Sequence, residues 1–193
     1  MLNFVSEIYG FTSNDNPRAS YLSARGDLIG KSKRAKEIIE LVEASPLVID
    51  VVVGTSVGQE SAFRGAVGTE TSSKLVWDPT VAFPILVDAQ QVTTSRQFMG
   101  KELKTTKTTA KLAPLPPEIV LIHELGHAAQ FMKELGTYAT LFAAGKDGIA
   151  EIEADNLARN EWPICDDYGL MRRSSYLHYK GSNETAKWAI TGG

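Results

Sequence analysis

Apolar residues recur at helical spacing over residues 32–44, SKRAKEIIELVEA. Ala35, Ile38, Ile39, Leu41 and Val42 line one face, and Ser32 stands where an N-cap belongs. The period then changes. LVIDVVVG (47–54) is short, β-branched and closed by Gly54, which predicts a buried strand. KLVWDP (74–79) and FPILVDA (83–89) predict two more strands, with Pro79 ending the first and Pro84 marking an edge position in the second. Residues 90–116 are rich in Thr and Lys and poor in large apolar groups, the composition of a solvated loop or hairpin, or of a flap that shapes a cleft. Pro116 and Pro117 open a strongly apolar helix that should run to about Leu135 and stop at Gly136. A further helix is expected from about Gly148 to Trp162, capped by Asp147 and ended by Pro163. Residues 1–30 are Ser/Asn/Gly-rich and read as a loose N-terminal segment; residues 181–193 read as a polar tail. With no internal repeat, the whole of 1–193 is expected to form a single domain.

The chemistry concentrates in LIHELGHAAQFM (121–132). His123 and His127 lie one turn apart on one helix face, so both imidazoles can reach one ion. Glu124 is rotated about 100° from His123 and falls beside such an ion, where a general base for a bound water belongs. Two histidines and a glutamate in so apolar a helix are costly to bury without a partner, and a metal ion serves all three. Gly126 keeps side-chain bulk away from the back of the motif.

The chain has three histidines, so outside the motif only His178 remains. Gln130 and Lys133 stand where one zinc-peptidase class would place Gly and a third His, which excludes that class. A carboxylate or His178 must complete the site. In the second helix, DGIAEIEADNLARNEW, Glu151 and Asp155 share a face, and Glu153 is turned about 200° from Glu151. Glu151 is therefore expected as the third ligand. Asp155 is expected to accept a hydrogen bond from the far nitrogen of a ligand histidine. Glu153 and His178 are the rivals. Three protein ligands leave a fourth position for water, the pattern of a catalytic Zn²⁺. A charge developing on a substrate oxygen needs a further donor, and Arg173 and Tyr176 in RSSYLHY (173–179) are the candidates.

Composition narrows the setting. The 193 residues are 43% hydrophobic and 22% charged with net charge −3, which gives no global signal for nucleic acid or membrane binding. Cys165 is the single cysteine, which excludes an internal disulfide framework. MLNFVSEIYG lacks the basic start and apolar run of a Sec signal, and no run approaches the ~20 apolar residues of a membrane helix.

LPPEIVLIHELGHA, preceded by VWDP and followed by an E-x-x-A helix and GLMRRSSY, resembles the NleD-like effector zinc metallopeptidases. These occur as type III secretion effectors and as toxin domains of polymorphic and type VI systems. The resemblance spans roughly residues 32–179. It implies an α+β, zincin-like fold, with a small mixed or antiparallel sheet packed on the HExxH helix and a second, glutamate-bearing helix. It implies one zinc ion at His123, His127 and Glu151, catalysis by Glu124, and functional roles for Arg173 and Tyr176. It implies a protein or peptide substrate met along a sheet edge, with 83–89 as the candidate strand, and delivery to a target cell by a specialised secretion system, with a carrier or cognate immunity protein as partner. EIEADNLARNEWP is also similar to the corresponding helix of ImmA/IrrE regulatory peptidases, which act inside the producing cell.

Overall fold

The computed structural model describes residues 1–8, 10–55, 61–66, 70–98 and 101–173. Its centre is strand β4 (Ile49–Thr55), whose nearly unbroken apolar run is buried along most of its length. β4 pairs in parallel with β1 (Leu2–Phe4) and β6 (Ser73–Trp77), and antiparallel with β3 (Phe11–Ser13). β2 (Glu7–Ile8) pairs with β3, and β5 (Ala62–Arg64) lies antiparallel on the outer side of β6. The described residues thus form a mixed six-stranded sheet in an α+β fold.

The first thirty residues are not loose. They supply three strands and helix α1 (Pro17–Lys31), whose first turn is closed by Asn16 accepting from the Ala19 amide. What makes the segment polar in sequence is this capping and edge chemistry: only Tyr21, Ala24 and Leu28 of α1 are buried. Helix α2 (Lys33–Ala44) starts at Ser32, as its sequence predicts, and buries Ala35, Ile38, Ile39 and Val42. The Ser32 hydroxyl oxygen accepts from the Ala35 amide.

Residues 83–115 form a hairpin of its own, β7 (Phe83–Phe98) with β8 (Lys101–Leu115), in a separate two-stranded sheet. Its strands are far longer than the apolar stretch 83–89, in keeping with the strand preference of the β-branched Thr residues that follow. Ile85 and Leu115 bury its base. The 83–89 segment is therefore no edge of the six-stranded sheet; among the described strands β5 holds that position on the β6 side.

Helix α3 (Pro117–Lys133) crosses the core and is buried nearly all round. The Trp77 indole N–H, donating to Pro117 O at 2.8 Å, ties its start to β6. It ends at Lys133, where Glu134 leaves helical geometry, and Gly136 falls inside a new helix, α4 (Leu135–Ala143). Helix α5 (Lys146–Asn156) packs on α4 so closely that a Cβ at Gly148 would meet Leu141 O at 1.9 Å.

Pro163 does not end the second helix. The chain runs from α5 through a π-helical turn, Leu157–Glu161, into α6 (Trp162–Asp167). The Trp162 amide reaches back five residues to Leu157 O. Proline has no amide for the carbonyl four residues earlier and its ring crowds that oxygen. That carbonyl, Arg159 O, accepts instead from Arg34 Nε at 3.0 Å. The wider turn is how the helix absorbs the proline.

Candidate metal centre

The face of α3 that carries His123, Glu124 and His127 is buried against α5 and β5. His123 Nε2 and His127 Nε2 lie 3.1 Å apart. Glu153 comes from α5 and closes the triangle: Oε1 is 3.1 Å from His127 Nε2 and Oε2 is 3.3 Å from His123 Nε2. This corrects the expected ligand. Glu151 is exposed on α5, whereas Glu153 shares the inward face with Gly148, Ile152 and Asn156. The packing of Gly148 on α4 and of Asn156 on α3 sets the rotation of α5, and that rotation turns Glu153 inward.

The far ring nitrogens fix which way the inner ones point. His127 Nδ1 is 3.0 Å from Gln130 Oε1, and the Gln130 amide donates to Asp155 Oδ2 (2.8 Å) and Ile152 O (3.1 Å). With its amide committed to those acceptors, Gln130 presents its carbonyl to the ring, so Nδ1 carries the proton and Nε2 the lone pair. Asp155 acts on His127 through Gln130 rather than directly. His123 Nδ1 is 2.9 Å from Glu161 Oε2, with Arg173 Nη2 at 3.0 Å and Asn156 Nδ2 at 3.2 Å. Glu161 is in turn held by two hydrogen bonds from Arg173, Nε to Oε1 at 2.7 Å and Nη2 to Oε2. Asn156 also donates to His123 O (2.9 Å), Asn160 donates to Asn156 (2.7 Å), and Arg34 donates to Asn160 (2.6 Å). A polar line thus ties α2 to the motif helix.

The electrostatics of this cluster favour a cation. Glu124, Glu153 and Glu161 are buried with Arg173, three carboxylates against one guanidinium. Among the described residues acid side chains thus outnumber basic ones in a site where unpaired charge is expensive, and a divalent ion would offset the excess. In the protein alone, burial and Arg173 both press the His123 imidazole down, yet Glu153 and Glu161 outweigh them and raise it to about 9. Burial works against ionisation of Glu161 as well, but Arg173 and His123 prevail and lower it to about 2. Glu153 Oε2 is buried and makes no hydrogen bond within the described residues. A buried carboxylate oxygen that has a histidine nitrogen 3.3 Å away and no well-formed hydrogen bond suits a ligand atom. The residues present therefore fit a metal ion, and His123, His127 and Glu153 are the group that can hold it.

Glu124 stands beside this group. Its Oε2 accepts the Phe63 amide from β5 at 2.8 Å, and burial raises its proton affinity. Arg173, expected as a donor to substrate, lies behind His123 against Glu161 and is 5% exposed. Tyr176 and His178 lie outside the described residues, as does the tail 181–193. Sequence reading missed Glu161 and Gln130. The run Glu153, Asn156, Asn160, Glu161 was a visible signal: a polar stripe at helical spacing interleaved with Ile152, Leu157 and Ile164.

Fold and site together define an α+β protein in which a His-x₃-His helix and a glutamate on a later helix form a buried group able to hold one metal ion. Comparison with family models, with curated proteins and with solved structures finds no match to this chain. No described helix is long and apolar enough to cross a membrane.

Proposed function

We propose that this chain is a zinc-dependent peptidase that acts on a protein or peptide substrate. The observation that carries this reading is the convergence of His123, His127 and Glu153 within 3.1–3.3 Å of one another, with buried Glu124 alongside. Two imidazoles and one carboxylate suit Zn²⁺ among the common divalent ions. Zinc bound there supplies a Lewis acid that polarises a carbonyl and brings the pKa of a water towards ~7. Glu124 takes the proton of the attacking water and returns it to the leaving amine nitrogen. The Phe63 amide holds Glu124 Oε2, so the carboxylate keeps one orientation across both steps. β5 is the outer strand on that side of the sheet and the strand that reaches Glu124, so an extended substrate laid along it passes the site.

The sequence resemblance to secreted effector peptidases supports a finer reading, in which the enzyme is a toxin or effector domain delivered into another cell. Expression of wild type and Glu124→Gln in a bacterial cytoplasm and, with an added export signal, in the periplasm tests both levels. Toxicity that needs Glu124 in one compartment is the expected result. Equal toxicity of the two forms, with zinc bound in both, sinks the enzyme reading and leaves a metal-holding binding domain. Proteolysis without toxicity in either compartment sinks the effector reading.

A further inference from the structure

Residues 90–109 carry a charge that the rest of the chain does not share. They hold Arg96, Lys101, Lys104 and Lys107 against Glu102, a net +3 in a chain whose net charge is −3, so the remainder is −6. They belong to the outer part of the β7–β8 hairpin. Its root is where Ile85 and Leu115 are buried, and Leu115 stands two residues before the start of α3 at Pro117. A shift of register between Val87 and Gln90 sets the outer part off from this root. Beyond it, residues 90–98 pair with residues 101–109, and no third described strand joins them. At about 3.4 Å per residue the paired arm is about 27 Å long, against a screening length of ~8 Å in physiological salt. Most of the arm therefore lies outside the field of the acidic body. Cross-strand partners share a face of such a ribbon, and successive pairs alternate between its faces. Val92–Lys107, Arg96–Leu103 and Phe98–Lys101 fall on one face, with Thr94–Thr105 between them. Gln91–Thr108, Thr93–Thr106, Ser95–Lys104 and Gln97–Glu102 fall on the other. One face thus interleaves three cations with three apolar residues, whereas the other combines hydroxyls and amides with one pair of opposite charges. Ser95, Arg96 and Gln97, near the outer end, are exposed.

We propose that this arm docks on an anionic phospholipid bilayer through the face that bears Val92, Arg96, Phe98, Lys101, Leu103 and Lys107. A nucleic-acid backbone or an acidic peptide would meet the cations and leave the apolar residues in water. A bilayer takes both in one plane, the cations at the anionic headgroups and the apolar residues at the acyl boundary. A two-stranded ribbon by itself is marginal in water, and a surface laid along one face supports it. The docking needs no metal, so it stands apart from the peptidase reading. Because the root leads within two residues into the helix that carries His123, a docked arm holds the metal centre near the same surface.

Co-sedimentation of the whole chain with vesicles tests this. The probes are vesicles of phosphatidylcholine alone and of equal parts phosphatidylcholine and phosphatidylserine, with polyglutamate and duplex DNA as dissolved polyanions. Wild type should bind the mixed vesicles at least tenfold more tightly than the neutral ones, and added salt should weaken that binding. Arg96→Gln, Lys101→Gln and Lys107→Gln combined should weaken it by roughly 100-fold, since each cation near the surface contributes about a factor of five. Phe98→Ser with Leu103→Ser keeps every charge and should still weaken it at least tenfold. Lys33→Gln, Lys36→Gln and Lys146→Gln combined remove the same charge from exposed sites off the arm and should leave binding near wild type. The comparison of the two vesicle types uses wild type alone, so it decides even where an arm variant melts early. Absent binding, or equal binding to both vesicle types, overturns the proposal. An equal loss in the variant changed off the arm, or unchanged binding after the Phe98 and Leu103 changes, overturns it too. Tighter binding of wild type to DNA or polyglutamate than to the mixed vesicles replaces the bilayer with a dissolved polyanion.

Discussion

Gly126 and Asn156 cannot both keep their places if Gly126 gains a methyl group, because its Cβ would lie 2.2 Å from Asn156 Oδ1 and 3.0 Å from Asn160 Nδ2. The contacting atoms are side-chain ends, which ordinarily move aside. Here they are committed, since Asn156 donates to His123 O and Asn160 donates to Asn156. Gly126→Ala should therefore cost about 1–3 kcal/mol, the usual range for overpacking. Combined with Asn156→Ala, the cost should fall clearly short of the sum of the two single changes, since the second removes the clash. Urea denaturation of the four proteins in the cycle reads this directly; additive costs would mean that α3 and α5 adjust independently.

The proposed metal site separates two neighbouring glutamates. Glu153→Ala should weaken zinc binding by more than about 100-fold, beyond the upper end of what losing a mere partner of a ligand costs. Glu151→Ala, on the exposed face, should bind zinc like wild type. Competition with a chelator of known affinity measures both. A loss at Glu151 and none at Glu153 would require α5 to be turned by about half a revolution.

That choice marks how far the sequence could be read. His123, Glu124 and His127 were legible because a motif on one helix contains its own geometry. The α+β class was legible from the change of period between residues 32–44 and 47–54. Which glutamate joins the histidines was not, because Glu151 and Glu153 lie on opposite sides of one helix and local spacing says nothing of which side faces inward. The contact of Gly148 with Leu141 and the bond from Asn156 to His123 O decide it, and both are tertiary. Arg173 was legible as part of the site but not as to its side: a cation near a carboxylate-rich centre can face substrate or bind Glu161, and only the fold distinguishes them.

Gln130 should act as a positioning residue for His127. Removing its carbonyl frees the Nδ1 proton from its acceptor and lets the ring turn. Gln130→Ala should lower zinc affinity by about 10–100-fold while the secondary structure stays intact. Asp155→Asn should have a smaller effect, because Ile152 O still accepts from the Gln130 amide. Zinc titration against a competing chelator, with circular dichroism as the fold control, tests the ranking.

Away from the site, Glu43 gives the fold an acid-sensitive link between α1 and α2. Burial alone would raise its carboxyl, but hydrogen bonds from Arg25 and Tyr21 outweigh burial and hold it below the ordinary range. Arg25 donates to both oxygens at 2.7 and 2.8 Å and Tyr21 donates at 3.0 Å. A carboxyl depressed in the folded state contributes fully above its unfolded pKa of about 4.3, and the contribution fades as pH falls through the lower folded value. The wild type should therefore lose stability more steeply than Glu43→Gln as pH drops below about 4.3. Urea midpoints measured across that range should converge towards acid; parallel curves would remove Glu43 from the account.

Metal removal should be visible in stability as well as in chemistry. A ligand bound only by the folded state stabilises it by about 2.7 kcal/mol at 100 times its dissociation constant. For a domain of this size each kcal/mol moves the melting temperature by about 2–4 °C, so adding zinc to chelated protein at that excess should raise it by roughly 5–11 °C. Glu124→Gln should keep most of this increment, because Glu124 is bonded to the Phe63 amide and contributes no atom to the His123, His127 and Glu153 group. Glu153→Ala should lose the increment, because the remaining histidines offer two ligands from one helix. Differential scanning calorimetry with and without chelator on the three proteins separates the roles. Equal zinc increments in all of them would place the ion elsewhere, whereas loss only in Glu153→Ala ties metal binding to the triangle and leaves Glu124 free for proton transfer.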